Sequence, residues 1–149
     1  MARIDDLLNT TLPLLDVVWT DEGEAAGLPD PDNVGEGYEL VGRLTQPEST
    51  IHMTHVWITE VDQETPWVRE HVHDYDEVLT WTGSDPEHPR ELGAEIFLEI
   101  EGERRLITTT GSVYIPAGVR HCPLGFVRVD RPFTFSALSL APQYASRQG

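Results

Sequence analysis

From Tyr38 onward the chain is a succession of short β-like runs broken by turn residues, and that texture limits its fold more than any other feature. The runs cover residues 38–44, 50–61, 67–73, 78–81, 95–100, 104–109, 112–115 and 131–140. Many short strands at close spacing, punctuated by Gly and Pro, predict an all-β sandwich or barrel. Glu101-Gly102-Glu103 reads as a hairpin turn between Ile96, Leu98 and Ile100 on one side and Leu106 and Thr108 on the other. No internal repeat shows, so one barrel is expected rather than a duplicated pair.

Ahead of these runs, residues 21–37 are rich in Gly, Pro and acids without an apolar period, which predicts an irregular loop or arm. Leu7, Leu8, Leu12, Leu14 and Leu15 fit either a short amphipathic helix interrupted at Pro13 or an extended strap on the domain. The expected organisation is an N-terminal arm over 1–37, irregular or partly helical, one β domain over 38–141, and a tail over 142–149.

At 149 residues one domain buries a sizeable core without disulfide staples. Ten basic against 26 acidic side chains give a formal charge of -16, which repels nucleic-acid backbones and anionic membranes and favours small-molecule partners. The N-terminal residues Met1-Ala2-Arg3-Ile4-Asp5-Asp6 contain no long apolar run, so neither a signal peptide nor a transmembrane helix is expected and the location is read as cytoplasmic. The single cysteine, Cys122, fits a reducing compartment. Standing beside His121, it faces away from that residue's side if the strand is regular, as a buried and inert thiol.

Four residues carry the chemistry. In His71-Val72-His73-Asp74-Tyr75-Asp76-Glu77, two imidazoles one residue apart share a strand face, and the glutamate follows a short polar reversal. With Glu77 starting the returning strand, Leu79 and Trp81 continue its inner face. A fourth ligand, His121, follows the Pro116-Ala117-Gly118 turn, provided the fold returns that segment to the first. Borderline divalent metals favour this mixture of nitrogen and oxygen donors, and a buried carboxylate among imidazoles is costly unless a cation neutralises it.

These residues resemble the two motifs of the cupin superfamily. The first runs Gly, spacer, His-x-His, three or four residues, Glu, six residues, Gly, and is met by His71, His73, Glu77 and Gly83. The second runs Gly, five residues, Pro-x-Gly, two residues, His, three residues, Asn, and is met by Gly111, Pro116, Gly118 and His121. No glycine stands in the expected place before His71, five residues separate Glu77 from Gly83, Gly111 lies one residue closer to Pro116, and Gly125 replaces the Asn. None of these departures removes a ligand. The resemblance implies a small antiparallel double-sheet β-barrel, a jelly roll, with the metal in its mouth, and allows a homodimer.

It names no reaction, because cupins include oxygenases, isomerases, lyases, decarboxylases and non-enzymatic binding modules. The leading expectation is a mononuclear oxygenase acting on a small molecule through Fe(II), with Zn, Mn, Ni or Cu as other ions. The alternatives are non-redox isomerase, lyase or decarboxylase chemistry, and a non-catalytic metal or small-ligand binding protein.

Around the ligands, Arg69 shares the His71 face if the strand is regular, either as the anchor for a substrate carboxylate or as a structural ion pair. In the run over 50–61, Ile51, Met53, His55 and Trp57 fall on one face and His52, Thr54, Val56 and Ile58 on the other. His55 is the better acid–base candidate of the two histidines there, against a structural role for both. Tyr114 is either a core aromatic or a pocket hydroxyl. Met53, Trp57, Trp67, Trp81, Phe97, Phe133 and Phe135 are expected to fill the barrel. The polar stretch from Gly83 to Gly93 reads as a rim loop, with a lid or dimer contact as the alternative.

Overall fold

The computed structural model describes residues 3–14 and 30–142. Among these residues a single helical turn, α1 (Ile4–Leu7), is followed by nine strands: β1 (Tyr38–Val41), β2 (His52–Ile58), β3 (Thr65–Val68), β4 (Glu77–Gly83), β5 (Glu91–Ile100), β6 (Glu103–Thr109), β7 (Gly111–Ile115), β8 (His121–Val129) and β9 (Phe133–Ser139). They form a five-stranded sheet ordered β1-β2-β9-β4-β7 and a four-stranded sheet ordered β3-β8-β5-β6, with every pairing antiparallel. This is the expected jelly roll, built as two hydrogen-bonded sheets rather than one closed ring.

The inner faces meet through large apolar side chains. Trp67 of β3 stacks on Phe126 of β8, with centroids 5.7 Å apart, and meets Phe135 of β9 edge-on at 5.0 Å. Ile58, Leu92, Ile96, Leu124 and Phe133 complete this end of the core. On β2 the alternation puts His52, Thr54, Val56 and Ile58 inward, so Met53 and Trp57 do not join the expected aromatic wall; Trp57 is 46% exposed on the outer face. Phe97 is buried but lies outside the main cluster, over Gly125 and beneath the Arg104 guanidinium, which sits 4.4 Å from its centroid.

Strand β8 is absent from the runs read in the sequence because Pro123 and Gly125 look like breakers. The register shift between Leu98↔Leu124 and Ile100↔His121 places Cys122 and Pro123 opposite Glu99 alone, where a missing N–H is tolerated. Gly125 is required by close approach, since a Cβ there would lie 2.4 Å from Phe97 Cζ and 2.6 Å from the Thr65 carbonyl oxygen.

In the arm, the helical turn ends well before Pro13 and none of its residues is buried. The Pro13 carbonyl then accepts the Glu39 N–H at 2.9 Å, and Leu14 bridges Tyr38, so the strap lies along β1. Leu15 and the residues over 21–29 of the expected loop lie outside the described residues, as does most of the tail. Residues 30–37 run without a strand and touch the domain through the Val34–Ile58 bridge. The connection between β4 and β5 is an exposed rim, where the Ser84 hydroxyl donates to the Pro132 carbonyl and His88 Nδ1 lies 3.1 Å from Asp85 Oδ2. No helix among the described residues is long and apolar enough to cross a membrane.

Candidate metal centre

Backbone pairing accounts for the convergence of distant residues. His71 and His121 form an antiparallel bridge outside β3, each N–H donating to the other's carbonyl at 3.0 and 3.1 Å. Their rings lie 4.3 Å apart between centroids, with His73 at 4.7 Å from His71 and 4.9 Å from His121. One ligand atom from each of the three lies within 4.8 Å of the others, and the Nε2 atoms of His71 and His73 are 3.1 Å apart. Glu77, the first residue of β4, brings Oε1 to 3.5 Å from Nε2 of both His73 and His121. All four residues are 1–2% exposed.

Local geometry aims the rings. His71 Nδ1–H donates to the Arg69 carbonyl at 2.6 Å and His121 Nδ1–H to the Val119 carbonyl at 2.9 Å. This assignment of the proton to Nδ1, made from the hydrogen-bond partners, leaves each Nε2 with a bare lone pair turned inward, as metal-binding histidines require. Tyr75 stacks on His73 at 4.8 Å with 20° between planes. The Pro116-Ala117-Gly118 turn is fastened on both sides. Gly118 takes φ +83°, a conformation that suits glycine, and donates to the His73 carbonyl at 2.8 Å. Asp76 Oδ1 accepts the Ala117 N–H at 2.9 Å.

The electrostatics suit a cation. Both carboxylate oxygens of Glu77 and Nε2 of His121 are buried without a hydrogen-bond partner among the described residues; the 3.5 Å approaches are at the outer limit of distance. Burial, then the nearby His121, hold the His71 imidazole down to a pKa of about 4. Burial opposes ionisation of Glu77, but His121 and His73 outweigh it and keep the carboxyl well below its ordinary range. Neutral imidazole and ionised carboxylate are the forms that bind metals. A divalent ion among the four would satisfy the orphaned atoms and neutralise the buried charge, so the residues present fit one.

The other candidates are dispersed. Strand β3 stops at Val68 and residues 71–73 are buried in succession, so strict alternation fails and the Arg69 side chain is exposed while its carbonyl serves His71. His55 stands on the outer face of β2, with Nδ1 2.7 Å from Ser136 Oγ and its ring tilted against Tyr38 at 5.6 Å. Tyr114 lies on the outer face of β7, 59% exposed, and donates its hydroxyl to Asp76. Cys122 is buried in the core cluster. The structure instead turns His52 and Glu39 inward. His52 was legible as an alternative to His55. Glu39 was missed, because a charged residue between Tyr38 and Leu40 reads as solvated.

No protein-family model and no curated protein matches the sequence. Solved structures do match in fold. A recombinant oxalate oxidase in complex with glycolate superposes with TM-score 0.57 at 14% identity, covering 99% of this chain and 65% of that one. A cupin-2 domain protein of Rhodospirillum rubrum gives 0.54 at 10% identity, over 93% and 75%. A DMSP lyase structure gives 0.51 at 11% identity, over 83% and 56%. The chain spans about half the length of the DMSP lyases it matches, 52% and 56%. At these identities the likeness is one of fold, and it agrees with the two sheets: this chain has the cupin fold.

Proposed function

We propose that the chain is a mononuclear metal-dependent enzyme acting on a small molecule, with His71, His73, His121 and Glu77 as the metal ligands. The observation that carries this reading is the convergence of four buried donors with Glu77 Oε1, Glu77 Oε2 and His121 Nε2 left without hydrogen-bond partners among the described residues. Buried carboxylates are rarely retained without a charge partner. The oxalate oxidase and DMSP lyase neighbours give the fold precedents for both redox and non-redox chemistry.

Oxygenation with Fe(II) is the leading form of the proposal, since three imidazoles and one carboxylate suit that ion and leave positions open. The bound ion would supply Lewis acidity and electrons for oxygen chemistry. The chain's own part is to orient the donors through the Arg69 and Val119 carbonyls, to exclude bulk water by burial of all four ligands, and to hold the second motif in place through Asp76. Isomerase, lyase or decarboxylase chemistry on Zn, Mn or Ni is the second reading, favoured by a buried His–Glu pair on the same inner face.

The test is metal analysis after anaerobic purification, followed by oxygen uptake with small chelating substrates. Iron with substrate-dependent uptake is expected. A redox-inactive metal without uptake replaces oxygenation by the non-redox reading, and a chain that takes up no divalent ion overturns the metal assignment.

A further inference from the structure

Two strands away from Glu77, on the same inner face, lies a second buried polar pair that the four ligands do not use. His52 is 2% exposed and Glu39 1%, with His52 Nε2 3.4 Å from Glu39 Oε1. Glu39 is pinned by the Thr45 N–H, which donates to Oε2 at 3.0 Å. Gly42 seals the pair, because a Cβ there would lie 2.2 Å from Glu39 Oε1 and 2.7 Å from His52 Cδ2. The turn that closes over them is held by Thr45 Oγ1, which accepts the Gly42 N–H at 2.9 Å.

The register ties this pair to the metal site. His52 pairs with Ser139 and Ser139 pairs with Glu77, so three side chains stand in one line on one face. At about 4.8 Å per strand the Cα atoms of His52 and Glu77 are roughly 10 Å apart, separated by the one short side chain of a serine. Ser139 is fully buried, and its Oγ has no hydrogen-bond partner among the described residues. Thr54 and Ala137 begin the next inner row, so small side chains floor this end of the core.

A buried His–Glu pair costs more than an apolar pair of the same volume, so its retention beside candidate metal ligands points to use. The groups facing His52 are Glu39 from β1, Ser139 from β9 and Glu77 from β4. Burial lowers the His52 pKa, while Glu39 and then Glu77 oppose the fall. The imidazole therefore rests neutral, beside a carboxylate that stabilises its protonated form.

Building on the metal reading above, we propose that His52, positioned and charge-balanced by Glu39, accepts the proton that a small chelating ligand loses on binding at the metal site. The ligand class is a molecule with an ionisable hydroxyl next to a second oxygen. Its O–H bond breaks with the electron pair left on oxygen. The proton forms a new N–H bond at the ring nitrogen of His52 that carries none, and the resulting imidazolium is charge-balanced by Glu39.

The test uses the metal-loaded full chain and acetohydroxamate, a chelator that gives up a proton on binding. Calorimetry in buffers of different ionisation enthalpy counts the protons released. Wild type should release close to none, and His52→Gln about one per ligand bound with metal content unchanged. Glu39→Gln should release an intermediate amount, and provides the test if His52→Gln fails to fold by circular dichroism. His55→Gln, altered on the outer face, should match wild type. Equal release from wild type and His52→Gln, a shift produced by His55→Gln instead, or no acetohydroxamate binding by metal-loaded wild type would each overturn the inference alone. Metal content, measured first, separates these outcomes from failure of the metal reading.

Discussion

His71 and His121 are joined main chain to main chain, not side chain to side chain, and their rings gain their 4.3 Å spacing from that bridge. The scaffold of the site therefore does not depend on the imidazoles it carries.

Truncating the ligands should accordingly separate metal from fold. His73→Ala and Glu77→Ala are each expected to lose bound metal while far-ultraviolet circular dichroism stays that of wild type. Unchanged stoichiometry in both variants, measured by atomic emission, contradicts the ligand assignment.

The carboxylate of Glu77 should matter more with loading. In metal-free protein His121 and His73 favour its ionised form over the cost of burial, so Glu77→Gln should lower Tm. Wild type should gain stability on adding metal, about 2.7 kcal/mol at a hundredfold excess of free ion over Kd, and Glu77→Gln should gain much less. Chelation should return wild type to its starting Tm. A variant as stable as wild type without metal would show that His73 and His121 do not offset the burial of Glu77.

Acid should weaken the metal-free protein in part through His52. Burial lowers the folded pKa of His52 below the ordinary 6.5, so the unfolded chain binds protons first as pH falls. The contribution of His52 therefore declines from about pH 6.5 downward and levels off once pH lies below its folded value, while that of His71, held at about 4, goes on falling toward that pH. Urea denaturation at about pH 7.5 and about 5.5 measures the loss, and His52→Gln should reduce it. An undiminished slope in that variant would assign the acid sensitivity elsewhere.

Gly125→Ala should destabilise by about 1–3 kcal/mol, the range of overpacking a filled core, because one clash is with the Thr65 backbone and cannot be relieved by a rotamer change. Gly102→Ala is the comparison. With nothing within 4 Å of its Cβ, it bears only the cost of φ +79°. Equal midpoints in denaturant would show that Phe97 and Thr65 yield without cost.

The strand texture and the two motifs were legible because each rests on local spacing: His71-x-His73, the reversal to Glu77, and Pro116-x-Gly118 before His121. Inner and outer faces were less so, since alternation holds only within a regular strand. It failed at residues 69–73, where β3 ends early and the chain is held by an isolated bridge, and this put Arg69 at the surface. On β2 the alternation held, but sequence alone does not tell which face is inside; Trp57 outside and His52 inside reverse the hydrophobic expectation. Strand β8 and Glu39 were hidden for a common reason. A breaker or a charge is tolerated where a distant partner, Glu99 or Thr45, accommodates it.

His121 opens a strand of the four-stranded sheet and Glu77 opens a strand of the five-stranded one. An ion held by both would act as a rivet between layers that elsewhere meet through greasy contacts. Loading would then be a mechanical event as well as a chemical one: amide exchange near this end of the sandwich should slow when the ion enters, and the two layers should breathe apart there when it leaves.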